Sequence, residues 1–134
     1  MDTIFFSGVS ADDRATLQRV FLLLKTGKEN GTIEENLVRD ALGNHLGHFV
    51  SDPALIQQQF EQWQRDRTTP LQWEFGSWID AFANCELRFH SLHLREDGSG
   101  ELQFEQLAWP SGGLKATEEL IRAFGGHVVS NSAA

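Results

Sequence analysis

The sequence predicts an all-α domain of about six helices. Three observations carry that expectation. Apolar residues recur at spacings of three and four along most of the chain, the pattern of a helix with one buried stripe. Strand-like alternation of apolar and polar residues is nearly absent. Glycine and proline punctuate the chain at intervals that suit helices.

The elements follow in order. Ser10 and Asp13 form a capping pair for a first helix over about 11–24, with Leu17, Val20, Phe21 and Leu24 as its stripe. Lys25 to Gly31 is a polar turn. A second helix over about 34–43 carries Leu37, Val38, Ala41 and Leu42, and Gly43 can close it in the left-handed conformation. Ser51-Asp52-Pro53 places proline in a first turn behind a capping side chain. It opens a third helix that runs to about Arg65, with Leu55, Ile56, Phe60 and Trp63 turned inward. Thr68-Thr69-Pro70 breaks that helix. A long helix over about 73–93 follows, carrying Trp73, Trp78, Ile79, Phe82, Leu87, Phe89 and Leu92, with Cys85 as a small core residue in its middle. The loop 95–100 ends it. A short helix over about 103–108, a break at Trp109-Pro110-Ser111-Gly112-Gly113, and a last helix over about 114–124 complete one domain, 1–129. Residues 130–134 form a small, polar tail expected to fray.

Composition narrows the function classes. The chain has 134 residues, 40% hydrophobic and 22% charged, enough for one domain with its own core. The net charge of −8 disfavours nucleic acid and anionic membranes and suits a basic, apolar-anchored partner. The single cysteine, Cys85, allows no intrachain disulfide. The start, Met1 to Phe6, lacks the length and charge of a signal peptide, and no run reaches transmembrane length. Those features are expected of a cytoplasmic protein that does not insert into a membrane.

The richest motif is Leu94-Arg95-Glu96-Asp97-Gly98-Ser99-Gly100-Glu101-Leu102, followed by Phe104-Glu105-Gln106-Leu107. It resembles the calcium loop of the EF-hand (calmodulin-like) family, with Gly100 at the turn position and Leu102 at the apolar anchor two places on. Asp97, Ser99 and Glu101 then stand at ligand positions three, five and seven and are the candidate metal residues. Arg95 replaces the first carboxylate and Gln106 the bidentate glutamate. The resemblance therefore implies a degenerate loop, with no resident cofactor and calcium only at low affinity. Two further stretches resemble hands that have lost their carboxylates. Residues 26–37 have Gly31 at the turn and Ile33 as anchor; residues 64–75 have Leu71 as anchor. In that family, paired anchors form a short β-like bridge, here Ile33 with Leu71. The hand at 95–106 has no sequential partner, which allows a homodimer.

Other constellations are less specific. His90, His93 and Cys85 are spaced for a conceivable zinc site with no third convergent ligand, and His45 and His48 sit in a glycine-rich connector. No nucleophile motif, phosphate loop or dinucleotide fingerprint occurs. The chain is not expected to be an enzyme. Four tryptophans and ten phenylalanines are a heavy aromatic load, and the resemblance implies a groove for an amphipathic helix. Phe75, Trp78 and Trp109 are the candidate partner-binding residues, and Ile4-Phe5-Phe6 is a segment that could dock into such a groove in cis. The functional expectation is a non-catalytic interaction or regulatory module that binds an apolar or amphipathic segment. The alternative is a low-affinity calcium sensor using the 95–106 loop.

Overall fold

Residues 87–106 decide the fold class. The computed structural model, which describes residues 1–50, 52–69, 72–107 and 112–133, makes this stretch a β-hairpin. The protein is therefore mixed α/β rather than all-α. Strand β1 (Asp2–Ser7) precedes helices α1 (Arg14–Asn30), α2 (Glu35–Leu42), α3 (Pro53–Arg65) and α4 (Phe75–Asn84). Strands β2 (Leu87–Leu94) and β3 (Gly100–Gln106), helix α5 (Gly112–Ala123) and strand β4 (His127–Asn131) follow. Short 3₁₀ turns cover Ala11–Asp13 and Gly43–His48. The four strands form one antiparallel sheet in the order β2-β3-β1-β4.

The long helix expected over 73–93 is instead α4 followed by β2, and residues 103–106 of the helix expected over 103–108 are the end of β3. The reason lies in a bulge. Leu87 and Phe89 face the core, the pairing of β2 with β3 slips between Phe89 and Ser91, and Leu92 then returns to the core. A bulge adds one residue and reverses the alternation beyond it. The resulting spacing, Phe89 to Leu92, is three residues and continues a helical pattern that began with Trp78, Ile79 and Phe82. Nothing between Asn84 and Leu87 is a glycine or proline that would mark the change.

The 95–99 loop is a hairpin turn. Arg95 N donates to Ser99 O at 2.9 Å and Gly98 N to Arg95 O at 3.1 Å, leaving Glu96-Asp97-Gly98 as a three-residue tip. Gly98 sits at φ +87°, the left-handed position that such a turn requires. Gly100, assigned to the turn by the EF-hand pattern, is the first residue of β3. A Cβ there would lie 2.5 Å from the Phe6 ring and 2.5 Å from His93 O, so glycine is needed for close packing. A Cβ on Gly98 would meet Val9 O at 2.8 Å, and Val9 N donates to Gly98 O at 3.0 Å. The hairpin tip is thus fastened to the end of β1.

The N-terminal Ile4-Phe5-Phe6 segment is not a docking peptide but the middle of β1. Ile4 and Phe6 are buried, and β1 pairs with β3 on one side and β4 on the other. Strand β4 runs through Ser130 and Asn131, in the segment expected to fray, and Ser132 N donates to Thr3 O at 3.1 Å. Helices α1, α4 and α5 bury their apolar stripes with the inner face of the sheet in one core. Trp78 ties two of them together, its indole Nε1 donating to Ala116 O at 2.9 Å. The bridge expected between paired hands, Ile33 with Leu71, involves a residue outside the described ones, Leu71. Ile33 lies in no strand, and the isolated β-bridge among the described residues joins Val50 to Glu74 in parallel.

The Gly100→Ala variant should unfold with a stability loss of about 1–3 kcal/mol in a urea titration, the usual cost of overpacking. A loss below about 0.5 kcal/mol, the scale of a neutral surface change, would contradict the close seat of β1 on β3.

Candidate partner-binding surface

Helix α4 organises the surface around it. Its first turn is capped by Glu74, whose Oε2 accepts from Ser77 N at 2.6 Å. That hydrogen bond holds the Glu74 carboxyl below its ordinary pKa. Its last turn is capped from a distance. Lys28, in the last turn of α1, donates from Nζ to Phe82 O at 2.6 Å and Cys85 O at 3.0 Å, and approaches Cys85 Sγ at 3.3 Å. A cation at these orphan carbonyls is where a helix end favours one. Cys85 is therefore not mid-helix; it is the residue at which α4 stops.

Two recesses flank the exposed side of α4. The larger, a cleft of about 850 Å³, lies between the end of α1, the turn after it, the second half of α4 and the start of β2. Gly27 and Gly31 shape its wall. Thr32 N donates to Gly27 O at 2.9 Å, Gly31 takes φ +81°, and a Cβ on Gly27 would lie 2.8 Å from Ile33 Cα. Ile33 and Ile79 supply apolar lining, and Lys25, Lys28, Glu29, Asp80, Glu86 and Arg88 supply charge. Lys25 pairs with Glu29 at 3.3 Å and Arg88 with Glu105 at 3.3 Å, while Lys28 is held by carbonyls. Asp80 and Glu86 are exposed, and neither carboxylate has an ion pair or hydrogen bond among the described residues. Glu35, also in the lining, pairs with Arg39, so the two free carboxylates outnumber the one unpaired cation, Lys28, and the net charge is weakly negative.

The smaller recess, about 330 Å³, lies between α3 and the start of α4 and is lined by Ile56, Gln59, Phe60, Trp73 and Ser77 among others. Helix α3 is anchored by Asp52, which accepts from Ala54 N, and by a reciprocal pair: Gln59 Nε2 donates to Gln72 Oε1 at 2.9 Å and Gln72 N to Gln59 Oε1 at 3.2 Å. No residue of α3 is buried. Leu55 and Phe60, expected inward, are 39% and 44% exposed. The Phe60 and Trp63 rings stack at 5.9 Å, and the Arg67 guanidinium lies 3.9 Å over Trp63. This apolar face stays in water with its aromatic rings already ordered.

The residues expected to bind a partner lie elsewhere. Phe75 and Trp78 are 3% and 0% exposed, packed with Phe49 and Phe82, so they hold the core and present no groove. Trp109 falls outside the described residues. The candidate metal residues meet in the hairpin rather than in a helix-loop-helix. Asp97 Oδ1 accepts from Ser99 N at 2.9 Å and Ser99 Oγ at 2.6 Å, and these bonds keep the Asp97 carboxyl below its ordinary pKa. Glu101 pairs with Arg95. His45 and His48 make contacts within the fold. His45 Nδ1 lies 3.1 Å from Ala123 O and its Nε2 3.0 Å from Asp13 Oδ1, and His48 bonds Glu119. His90 and His93 are exposed on β2, and no group of three metal-ligating side chains converges among the described residues. No described helix is long and apolar enough to cross a membrane.

Sequence reasoning missed the exposed stack on α3 and the carboxylates of the cleft. Five glutamines on α3 were the available signal for the first, since a helix docked on a core seldom keeps so few charges on its outer face. No sequence signal marks Asp80 or Glu86.

No protein-family model matches the chain, and no curated protein or solved structure is significantly similar to it.

Lys28→Met should cost about 1–3 kcal/mol in chemical denaturation, because it leaves part-buried carbonyls at the end of α4 without their donor. An unchanged midpoint would contradict that capping role. The caps at Glu74 and Asp97 set a pH dependence. Both groups have lowered folded pKa values, so their contribution is present above the ordinary carboxylate range and is lost as pH falls through the lowered values. Amide shifts of Ser77 and Ser99 should move together with loss of stability in that acid range; titration at or above the ordinary values would contradict the bonds described.

Proposed function

We propose that this protein is a non-catalytic interaction module that binds an apolar or amphipathic partner segment. The observation that carries the reading is the unburied apolar face of α3. A helix of this length is ordinarily stable in a protein because it buries one face. Here Leu55 and Phe60 remain in water beside the recess at Trp73, and the Phe60–Trp63–Arg67 stack supplies a preordered aromatic anchor. Ordered aromatic and arginine side chains lose little freedom on binding and dominate many interfaces. The net charge of −8 favours a basic partner, chiefly through the rate of encounter. The calcium-sensor reading gains no such support, because Asp97 and Glu101 already have intramolecular partners.

A lysine–leucine amphipathic helical peptide is the probe. Trp63 and Trp73 should report saturable binding by a fluorescence blue shift. Phe60→Glu, which removes an exposed apolar anchor, should weaken the affinity about tenfold or more, equivalent to about 1.4 kcal/mol, while the far-ultraviolet circular dichroism stays unchanged. Equal binding by parent and variant, or no saturable binding by the parent, would overturn the α3 surface.

A further inference from the structure

Strand β2 is an edge of the sheet, and its pairing fixes which main-chain groups are left over. Leu107 N donates to Glu86 O at 2.8 Å, so 86 and 107 are a hydrogen-bonded pair. Bonded and non-bonded pairs alternate in an antiparallel ladder. Arg88 therefore bonds to Glu105, and the N–H and C=O groups of Leu87 and Phe89 point away from β3. Among the described residues no strand lies on that side. The same Leu87–Phe89 segment lines the 850 Å³ cleft, so there is open space beside the free groups.

We propose that this edge takes an extended, cationic peptide as an added strand, with the cleft receiving its side chains. The proposal rests on the reading of the protein as an interaction module and names a second contact on it, separate from α3. Three features favour this occupant. Free donors and acceptors in register along a strand are matched by another extended backbone, the basis of recognition by strand addition. Edges left unguarded are uncommon, and the guard on β2, its bulge at His90, lies beyond the segment that faces the cleft. The charge of the cleft also selects. Among the described residues the Asp80 and Glu86 side chains have no ion-pair partner, and the one unpaired cation of the lining, Lys28, has its ammonium hydrogens directed at the carbonyls that end α4, so two free carboxylates outnumber it. A basic side chain of the added strand meets both carboxylates. A second copy of this chain would bring the same carboxylates and a net charge of −8 against themselves.

The test uses an acetylated, amidated heptapeptide of alternating lysine and valine, titrated into the full chain and followed by amide resonances. Shifts concentrated at Leu87 and Phe89, with slowed exchange of those amides, are expected. N-methylation of one alternate set of peptide amides should weaken binding at least tenfold, and methylation of the other set should leave it intact, because an added strand uses only alternate groups. Asp80→Lys with Glu86→Lys should also weaken it tenfold or more, and Phe60→Glu should not. Equal loss, or no loss, from the two methylated series would overturn strand addition. Equal binding of an alternating glutamate and valine peptide would overturn the cationic choice, and self-association through the edge would make a second copy the occupant instead. If the heptapeptide fails while the amphipathic helix still binds through Phe60, the edge proposal falls and the interaction-module reading stands. If the helix fails and the heptapeptide binds, the α3 surface falls instead.

Discussion

The sheet depends on β1 lying between β3 and β4. It is the strand that both of the others need: β4 pairs with β1 alone, and Gly100–Phe104 of β3 pairs with Asp2–Phe6 of β1. Burial of Ile4 and Phe6 contributes roughly 1.5–3 kcal/mol each by area, and glycine at position 100 is what lets the Phe6 ring approach β3. Ser132 bonding to Thr3 and Asp2 extends the contact past the end of β4. Strands β1 and β4, far apart in sequence, therefore pair side by side at one side of the sheet. Such pairings are non-local, and their loop-closure cost falls before any reward.

That arrangement places the candidate surfaces. With β1 and β4 filling one side, β3 is interior and β2 is left at the opposite edge. Lys28 then matters twice. It closes the end of α4 by binding Phe82 O and Cys85 O, and in doing so it fixes where the chain leaves the helix to begin β2. Its charge remains in the cleft lining but is outnumbered there by the unpaired carboxylates of Asp80 and Glu86. On the other side of α4, the Gln59–Gln72 pair holds α3 beside Trp73 without burying it. The aromatic residues Phe49, Phe75, Trp78 and Phe82 pack together in the core beside α4.

Much of the helical half was legible from residues alone. The stripe Leu17, Val20, Phe21 and Leu24 is buried in α1, Asp52-Pro53 does open α3, and Gly43 and Gly125 follow helix ends with positive φ. The strands were not legible, for two physical reasons. The bulge in β2 converts alternation into a three-residue spacing, and β1 and β4 are too short to show a period before they are paired. The Asp97-Gly98-Ser99-Gly100 motif illustrates the ambiguity. Its aspartate, its glycines and the apolar Leu102 satisfy a metal loop on paper and a hairpin equally well, and the Arg95–Ser99 ladder bond distinguishes them only in three dimensions. The surfaces were the least visible part. Phe75 and Trp78 had the chemistry of a groove but are packed from all sides, whereas α3 has an amphipathic pattern and none of its residues is buried.

Native-state hydrogen exchange, resolved by residue, tests the sheet order on which everything else rests. The amides of Ile4 and Phe6 point towards β3, since Thr3 is bonded on the β4 side, and they should exchange only through near-global opening. The amides of Leu92 and Leu94, which face away from β3 on the free edge, should exchange far faster although they lie in a strand of the same sheet. Fast exchange at Ile4 and Phe6, or protection at Leu92 and Leu94 equal to theirs, would contradict the central place of β1 and the open edge of β2.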